Sequence, residues 1–437
     1  MKKILTIALL AFLPFFVTGC VLKDLPVIGK YFGNMPSISK ETTINIWGMW
    51  ESPEVMEAVI AKYKETNPNV TINYEDRSIT KADQYKEVVS TRLSQEEGDV
   101  PDIVFVHNSW VPRLSSYLNP APSSVISEDE YKSTFYPAAF TSAVSGGKIY
   151  AVPAYYDGLA LVYNRKHFAE IDQETAPTAW EEFRRLALLL TQKDKDGNII
   201  RAGAAIGGAN NIDFFSDILG LLFVQAGVSV PSEIDSKEAQ GALAFYTGFV
   251  NDDGVWNNSM PEASTSFAME RVSMIFVPSW NLLDIIRVRP DLDIGIAPVP
   301  QVSDRTPASW ASFWMYAVPK RSQNSDVAWN FIKFLSSEEA QLLMFSTASQ
   351  YRPYGAPFSN VALKDQVETG PAAEYLKPYL DTAAYSKSSI FAARAGNANT
   401  ISALKEAVNS AGGKLSYEEI LAEVKGKLTG TSASSEK

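Results

Sequence analysis

The feature that most constrains the fold of this chain is an alternation of strand-like and helix-like segments near its start. Apolar or alternating runs at 44–47, 70–74 and 103–106 are typical of strands. Apolar residues at helical spacing within 53–63 and 85–93 predict two helices between them. This order produces an α/β domain with a mostly parallel sheet and helices on both faces. Ligands of such sheets bind beyond the carboxyl ends of the strands, so the residues after the first and third strands are candidates for a site.

The length of the chain predicts two lobes. Its 437 residues exceed the roughly 250 to 300 at which a single hydrophobic core stops growing. A composition of 46% hydrophobic and 20% charged residues supplies enough apolar material for two cores. The net charge of -11 argues against nucleic acid or an anionic membrane surface as a partner.

The first twenty residues are organised like a secretion leader. Lys2 and Lys3 precede an apolar run at 4–17 that is too short and too early for a comfortable membrane span. The run ends in the tetrapeptide VTGC at 17–20, which resembles a bacterial lipobox. We therefore predict a lipoprotein signal peptide at 1–19.

The cysteine of this tetrapeptide supports the same interpretation. Cys20 is the only cysteine, so it has no partner for an internal disulfide and cannot form a metal cluster. We predict lipidation at Cys20, a lipidated tether over 20–41 and a location at the cell membrane, on the extracytoplasmic face. Two alternatives stay open: a run extended through Leu22 could act as an uncleaved anchor, and the cysteine could be accidental. Either alternative still exports the rest of the chain.

Aromatic and hydrogen-bonding side chains are concentrated where the predicted strands end. The segments after the first and third strands contain Trp47, Trp50, Glu51, His107, Asn108 and Trp110. A sugar ring has apolar C–H faces that stack on aromatic rings, and its hydroxyls need polar partners. This mixture predicts a sugar site, although aromatic residues near strand ends also pack into cores.

Two later segments supply further candidates. Tyr156 and Asp157 lie between two extended runs, which we interpret as a crossing between the lobes. A short apolar strand at 274–277 leads into Ser279 and Trp280. Ser279 is the expected N-cap of the next helix, which places Trp280 at a helix start, where backbone donors face outward.

Five pieces of the chain, taken in order, carry a resemblance to a known family. They are 44–50 with the helix after it, 100–105, 150–153 with 161–164, 267–280, and 317–320. In these pieces the chain resembles the extracellular solute-binding proteins of the family 1 type, the maltose-binding-protein-like receptors of ABC importers. The resemblance implies the two-lobed periplasmic-binding-protein type II fold. Each lobe would be a mainly parallel sheet flanked by helices, with the ligand in the cleft between the lobes.

The resemblance also implies the domain boundaries and the partners. Lobe 1 would hold 42–155 and 315–349, and lobe 2 would hold 156–314 and 350–428. The Ser- and Thr-rich residues 429–437 are an expected disordered tail. The function implied is capture of a sugar or oligosaccharide by hinge closure and delivery to the permease subunits, by a monomer without a cofactor.

The expected ligand contacts come from both lobes. They are Trp47, Trp50, Glu51, His107, Asn108, Trp110, Tyr156, Asp157, Ser279, Trp280, Trp310 and Arg352. The chain departs from maltose-binding protein at Asn108, which replaces an acid. It departs again before Trp280, where Pro-Ser replaces a glycine-rich pair. The identity of the sugar therefore stays open.

Other classes of function stay open beside this one. Glu51 and Asp157 come from opposite segments, and a glycoside hydrolase uses two carboxylates as acid and base. Arg352 follows a helix and either clamps a carboxylate or makes a surface salt bridge. A binding protein for a non-sugar polar solute is the third class. His107 and His167, the only histidines, make neither a metal site nor a catalytic triad, so we expect no catalytic residue and no metal.

Overall fold

The computed structural model of the chain describes residues 41–433. The predicted leader, Cys20 and the tether up to residue 40 lie outside the described residues, as do residues 434–437. Within 41–433 we find no helix with the length and apolar character needed to span a bilayer.

Strands and helices alternate along most of the described chain. The strands are β1 Thr42–Gly48, β2 Val70–Asp76, β3 Ile103–His107, β4 Leu118–Asn119, β5 Val144–Ser145, β6 Lys148–Ile149, β7 Val152–Pro153, β8 Ala160–Asn164, β9 Gln192–Lys193, β10 Ile199–Arg201, β11 Met274–Val277, β12 Ile294–Ala297, β13 Ser309–Trp310, β14 Trp314–Pro319 and β15 Ser386–Lys387. The α-helices are α1 Pro53–Lys64, α2 Ala82–Ser94, α3 Val111–Leu114, α4 Glu128–Thr134, α5 Pro137–Ala143, α6 Arg165–Ala169, α7 Trp180–Leu190, α8 Phe215–Gln225, α9 Lys237–Asn251, α10 Ala263–Ala268, α11 Ser279–Val288, α12 Ser325–Leu335, α13 Glu338–Ala348, α14 Lys364–Glu368, α15 Ala373–Thr382, α16 Ala398–Ser410 and α17 Tyr417–Ala433. Short 3-10 helices lie at Asn108–Trp110, Ser115–Tyr117, Val361–Leu363 and Ala383–Tyr385.

The first lobe is built on a sheet with the strand order β2, β1, β3, β14, β4, and β7 also pairs with β14. β1 and β3 run parallel, with Ile46 beside Ile103, whereas β14 runs antiparallel to β3. Because α1 and α2 connect the first three strands, the predicted βαβαβ order is confirmed. The apolar face predicted for α1 is buried as a unit: Val55, Met56, Val59, Ile60 and Tyr63.

The second lobe contains a sheet with the strand order β11, β8, β12. Both outer strands run antiparallel to β8, with Ile275 and Ile296 beside Val162. Two α/β lobes are present as predicted, but the expectation of a mainly parallel sheet is wrong for this lobe. α11 connects β11 to β12 and so makes those two strands parallel to each other. β8 lies between them and enters from the opposite direction, because the chain reaches it directly from the first sheet.

Two crossing segments, 154–159 and 309–313, join the two sheets. They lie side by side, and Gly158 forms an antiparallel bridge with Ala311. A side chain at Gly158 would place its Cβ 2.1 Å from the Trp310 carbonyl oxygen, so this approach requires glycine. The paired crossings lie at the junction of the lobes and are the natural position for a hinge.

The last helix continues past residue 429, where we expected a disordered tail to begin. Leu428 is 6% exposed, and the Thr429 hydroxyl donates to the Lys425 carbonyl at 2.8 Å. The expected start of the tail is therefore wrong. The helically spaced apolar residues that pack α17 against the core extend to Leu428. Their burial keeps the chain helical into the polar residues that follow.

Candidate functional site

A small cavity lies where the crossing segments meet the second lobe. It holds about 220 Å³ of space not filled by atoms, a figure that includes the open solvent at its mouth. Its walls are formed by Gly158, Leu159, Phe214, Asp217, Pro278, Trp280, Trp310, Ser312 and Ala393. We call it the junction cavity. Ligand sites commonly form at domain junctions, and this cavity combines aromatic walls with the polar side chains of Asp217 and Ser312.

The largest exposed ring at the junction cavity belongs to Trp280, the second residue of α11, which is 38% exposed. It packs edge-on against Phe214, with the ring centroids 5.5 Å apart. The Arg394 guanidinium lies 5.7 Å from the centroid of Trp280 and 5.6 Å from that of Phe214. We call Phe214, Trp280 and Arg394 the aromatic corner.

A buried carboxylate holds the cation of the aromatic corner in place. Arg394 donates to one oxygen of Asp213 at 2.7 Å, and the other oxygen accepts from the Ser264 hydroxyl at 3.0 Å. The Arg394 side chain is 54% exposed and that of Asp213 only 8%. The exposed part of the guanidinium is therefore fixed in direction and free to donate hydrogen bonds to a polar ligand.

Asp157 fixes the start of α11. Its carboxylate accepts from the Gly158 amide at 2.8 Å, the Ser279 amide at 3.0 Å and the Ser279 hydroxyl at 2.8 Å. Burial raises the pKa of Asp157 to about 6, against the opposing effect of these hydrogen bonds. The expectation that Ser279 is the N-cap is wrong: Ser279 is the first helical residue. Asp157, reaching over from the crossing segment, accepts from the amide of this first residue, which has no acceptor within the helix.

A second buried carboxylate supports the opposite wall of the junction cavity. The Trp310 indole N–H donates to one oxygen of Asp217 at 2.7 Å, and the Ala393 amide donates to the other at 2.7 Å. Burial raises the pKa of Asp217 to about 7. Because its N–H is already used and it is 1% exposed, Trp310 forms a fixed wall.

On the first lobe, Trp50 is the exposed aromatic residue that the strand-end rule anticipated. It is 44% exposed and has a φ of 69°, and non-glycine residues in this left-handed region are concentrated at functional sites. Its ring lies edge-on to Trp314, with centroids 6.2 Å apart. The neighbouring Trp47 is half-buried, and the Arg77 guanidinium lies 4.2 Å above its ring.

Glu51 and Arg352, both expected ligand contacts, face each other. The Arg352 guanidinium lies 3.8 Å from a carboxylate oxygen of Glu51, whose side chain is 13% exposed. Burial raises the pKa of Glu51, and the charge of Arg352 opposes that shift. The Nε of Arg352 is buried and has no hydrogen-bond partner among the described residues. The structure therefore brings the two residues together as a partly buried ion pair.

His107 and Tyr156 are interior residues. His107 is 1% exposed, and its Nδ1 and Nε2 lie 2.8 Å from the Ser109 hydroxyl and 3.1 Å from the Ser312 hydroxyl. Burial lowers the pKa of His107 to about 3, so the ring is neutral at physiological pH. Tyr156 is 2% exposed and packs on Tyr136, with centroids 5.0 Å apart. These positions do not support direct contact of either side chain with a ligand.

Asn108 and Trp110 are also interior, in the 3-10 helix after β3, and each is 1% exposed. The Asn108 amide donates to the hydroxyls of Ser142 at 3.1 Å and Ser388 at 2.8 Å. The Trp110 indole N–H donates to the Ala395 carbonyl at 2.5 Å. Their polar groups are satisfied by the protein, and direct contact of either side chain with a ligand stays a prediction. Both side chains hold the segment around residues 388–395.

Sequence reasoning missed four residues of the site: Asp213, Phe214, Asp217 and Arg394. One of them carried a usable signal, because Asp217 is an acid within α8, which is buried along nearly its whole length. Arg394 carried none, since its partner Asp213 is 181 positions away in the sequence. Such a pair can be recognised only after the chain is folded.

Comparisons with known proteins agree with this architecture. The family described as bacterial extracellular solute-binding protein matches residues 50–342. Diacetylchitobiose binding protein DasA of Streptomyces coelicolor is 22% identical over 307 residues, which cover 68% of this chain and 70% of the relative. The maltotriose-binding protein of Pyrococcus abyssi is 19% identical over 310 residues, covering 69% of this chain and 63% of the relative.

Solved structures share the fold over most of the chain. The sugar-binding protein MalE of Xanthomonas citri superposes with a TM-score of 0.70 at 16% identity, covering 90% of this chain and 99% of that one. An ABC transporter solute-binding protein of Thermotoga lettingae bound with alpha-D-tagatose gives a TM-score of 0.66 at 20% identity. That match covers 89% of this chain and 98% of the other.

Proposed function

This chain belongs to the bacterial extracellular solute-binding protein family, and on that premise we propose that it captures a neutral sugar or oligosaccharide and delivers it to the permease of an ABC importer. Two relatives are named for sugars, diacetylchitobiose and maltotriose. The single observation that carries the proposal is the aromatic corner, with its exposed Trp280 beside a guanidinium that a buried carboxylate orients.

The chemistry of the corner suits a sugar. The exposed face of Trp280 offers an apolar surface to the C–H face of a pyranose ring. The Arg394 guanidinium, which lies over the Trp280 ring at 5.7 Å from its centroid, offers N–H donors to the hydroxyls of a sugar bound beside the ring. Trp50, exposed at the strand ends of the first lobe, would supply the second surface when the lobes approach.

The charges of the site favour a neutral sugar over an acidic one. Arg394 is paired with Asp213 at 2.7 Å, and Arg352 lies 3.8 Å from Glu51. Each cation therefore has its own carboxylate, and a uronate would meet no uncompensated positive charge in either pair. A neutral sugar needs only directed donors and acceptors, which both pairs supply.

The mechanism is closure about the paired crossings. A ligand that contacts both lobes binds the closed form better than the open form and so shifts the population toward closure. The close approach at Gly158 keeps the two crossings together, so they act as one hinge. The importer would recognise the closed form.

The hydrolase alternative has less support. Its acid and base would be Glu51 and Asp157, but the Asp157 carboxylate already accepts three hydrogen bonds and is 2% exposed. Glu51 lies beside Arg352. A general acid needs a carboxyl group open to the glycosidic oxygen, which Asp157 does not present.

A thermal-shift panel tests the proposed function. Diacetylchitobiose, maltotriose, other neutral sugars and matched uronates are each added in excess to the purified chain. A neutral sugar present at a hundredfold over its dissociation constant should stabilise the fold by about 2.7 kcal/mol, whereas its uronate should not. If no sugar raises the melting temperature while a polyamine or a phosphate ester does, the non-sugar class replaces this proposal.

We propose also that the chain is anchored to the membrane through lipid on Cys20. Replacing Cys20 by serine should abolish incorporation of labelled fatty acid and release the protein from the membrane fraction. The melting temperature should stay unchanged, because the predicted tether contributes to neither core. Labelling that persists in Cys20→Ser would refute the lipid anchor without affecting the proposal on sugar binding.

A further inference from the structure

A ten-residue segment between β15 and α16, residues 388–397, contacts both lobes, and we call it the strap. On the second lobe, the Ala393 amide donates to Asp217 at 2.7 Å. The next residue, Arg394, donates to Asp213 at 2.7 Å. The part of the strap that reaches the aromatic corner is thus fixed by two buried carboxylates.

The following residues of the strap are fastened to the first lobe by α2. The Lys86 ammonium donates to the Gly396 carbonyl at 2.9 Å and to the Asn397 side-chain oxygen at 2.7 Å. The Asn397 amide donates in turn to the Ser109 hydroxyl at 3.0 Å. Lys86 therefore makes two of the polar contacts that join the strap to the first lobe.

The backbone of the strap is strained where these two fastenings meet. Arg394 has a φ of 56°, in the left-handed region that a residue with a side chain seldom adopts, and Gly396 has a φ of 66°. A Cβ on Gly396 would lie 2.9 Å from the Ala82 carbonyl oxygen, so the strap runs directly against α2. Strained residues persist only where the surroundings over-determine them, and they are concentrated at functional sites.

The surroundings of the Lys86 side chain hold it in one position. Its ammonium lies 5.5 Å from the Trp110 ring. Burial and the charge of Arg113 lower the pKa of Lys86 to about 8, and Asp83 on the same helix opposes the shift. A long side chain that is desolvated and bonded twice has lost the rotamer freedom that a surface lysine keeps.

We propose that Lys86 is a positioning residue for ligand recognition: by fastening the strap to the first lobe it holds Arg394 against Trp280. The inference rests on the proposed function in one respect, namely that the aromatic corner receives the sugar. Lys86 acts on recognition through Arg394, which it does not touch. Through Lys86 the first lobe therefore influences the position of Arg394, which is bonded to Asp213 of the second lobe.

A double-mutant cycle tests the coupling. Lys86→Met, Arg394→Ala and the double variant are titrated with diacetylchitobiose and with maltotriose. Loss of hydrogen bonds made by a charged group predicts that each single variant binds about tenfold more weakly. The double variant should bind no more weakly than Arg394→Ala, because Lys86 has nothing left to position. Losses that multiply would overturn the inference, since Lys86 would then contact the sugar independently.

Hydrogen exchange of the strap amides gives a readout that needs no sugar. Lys86→Met should speed exchange at residues 393–397, whereas Lys86→Arg, which retains a charged donor, should leave it near the wild-type rate. Arg92→Met is the matched control, because it removes a cation from the same helix, α2, away from the strap. If Lys86→Met fails to fold, Asn397→Ala is used in its place. This variant removes the side-chain oxygen that accepts a hydrogen bond from Lys86.

Failure of the Lys86 inference and failure of the proposed sugar binding give different results. Unchanged strap exchange in Lys86→Met overturns the inference whether or not a sugar binds. A second possible result is faster strap exchange in Lys86→Met while the wild-type chain binds neither sugar. This result would support the role of Lys86 in holding the strap and would count against a sugar as the ligand. Faster exchange together with non-additive affinities supports the inference in full.

Discussion

Replacing Trp110 by alanine should lower the free energy of unfolding by about 3 to 5 kcal/mol, the usual cost of truncating a large buried aromatic residue. Trp110 is 1% exposed, and its ring meets Trp314 edge-on with centroids 5.1 Å apart. The substitution also leaves the Ala395 carbonyl without the indole donor that lies 2.5 Å away. Urea unfolding followed by circular dichroism measures the change.

Trp110→Phe is the control, because it keeps a six-membered aromatic ring in the core and removes the pyrrole part of the indole with its N–H. It should cost clearly less than the alanine variant. An unfolding free energy near the wild-type value for Trp110→Ala would contradict the interior position. Trp110 would then be an exposed cleft residue, as the strand-end rule first suggested.

Replacing Trp280 by alanine should have the opposite effect: it should weaken sugar binding strongly and change the stability of the fold little. Binding of the sugar should weaken by about 2 kcal/mol or more, roughly thirtyfold, because exposed aromatic anchors supply much of the contact energy at such sites. The free energy of unfolding should change by less than about 1 kcal/mol, since the ring is 38% exposed and packs mainly on Phe214. Titration calorimetry and urea unfolding on the same preparation give both numbers.

Tyr117→Ala is the matched control for this variant. Tyr117 is 41% exposed and follows α3, outside the junction cavity, so its loss should affect neither quantity strongly. If Trp280→Ala instead melts far below wild type while the remaining folded protein binds sugar normally, Trp280 is a packing residue. The aromatic corner would then not be the binding surface.

Periodicity was sufficient to predict the first three strands of the first lobe and the helices between them, but not β14, which runs antiparallel to β3. The helical spacing in 53–63 selected the five residues that α1 buries, and the strand, helix, strand order predicted the parallel direction that β1 and β3 share. Strand direction in the second lobe was not predictable in this way. It depends on the path by which the chain enters β8, and no local pattern in 160–164 records that path.

The candidate site was predictable in part, and the limit is physical. The ends of strands were identified correctly, and Trp50, Glu51 and Trp280 lie partly exposed there. The residues after β3 have a similar composition, yet Asn108 and Trp110 turn inward because the strap covers them. The strap comes from a segment about 280 positions later in the chain, so no local rule could distinguish the two strand ends.

The measurement that tests the central claim most directly is a calorimetric titration of the purified chain with the neutral sugar that gives the largest thermal shift, followed by recovery of that sugar. We expect saturable binding at one site per chain, and recovery of the sugar chemically unchanged after hours with the protein. Two results would contradict the account. One is the absence of saturable binding by any neutral sugar. The other is the steady release of shortened sugar that disappears in Asp157→Asn.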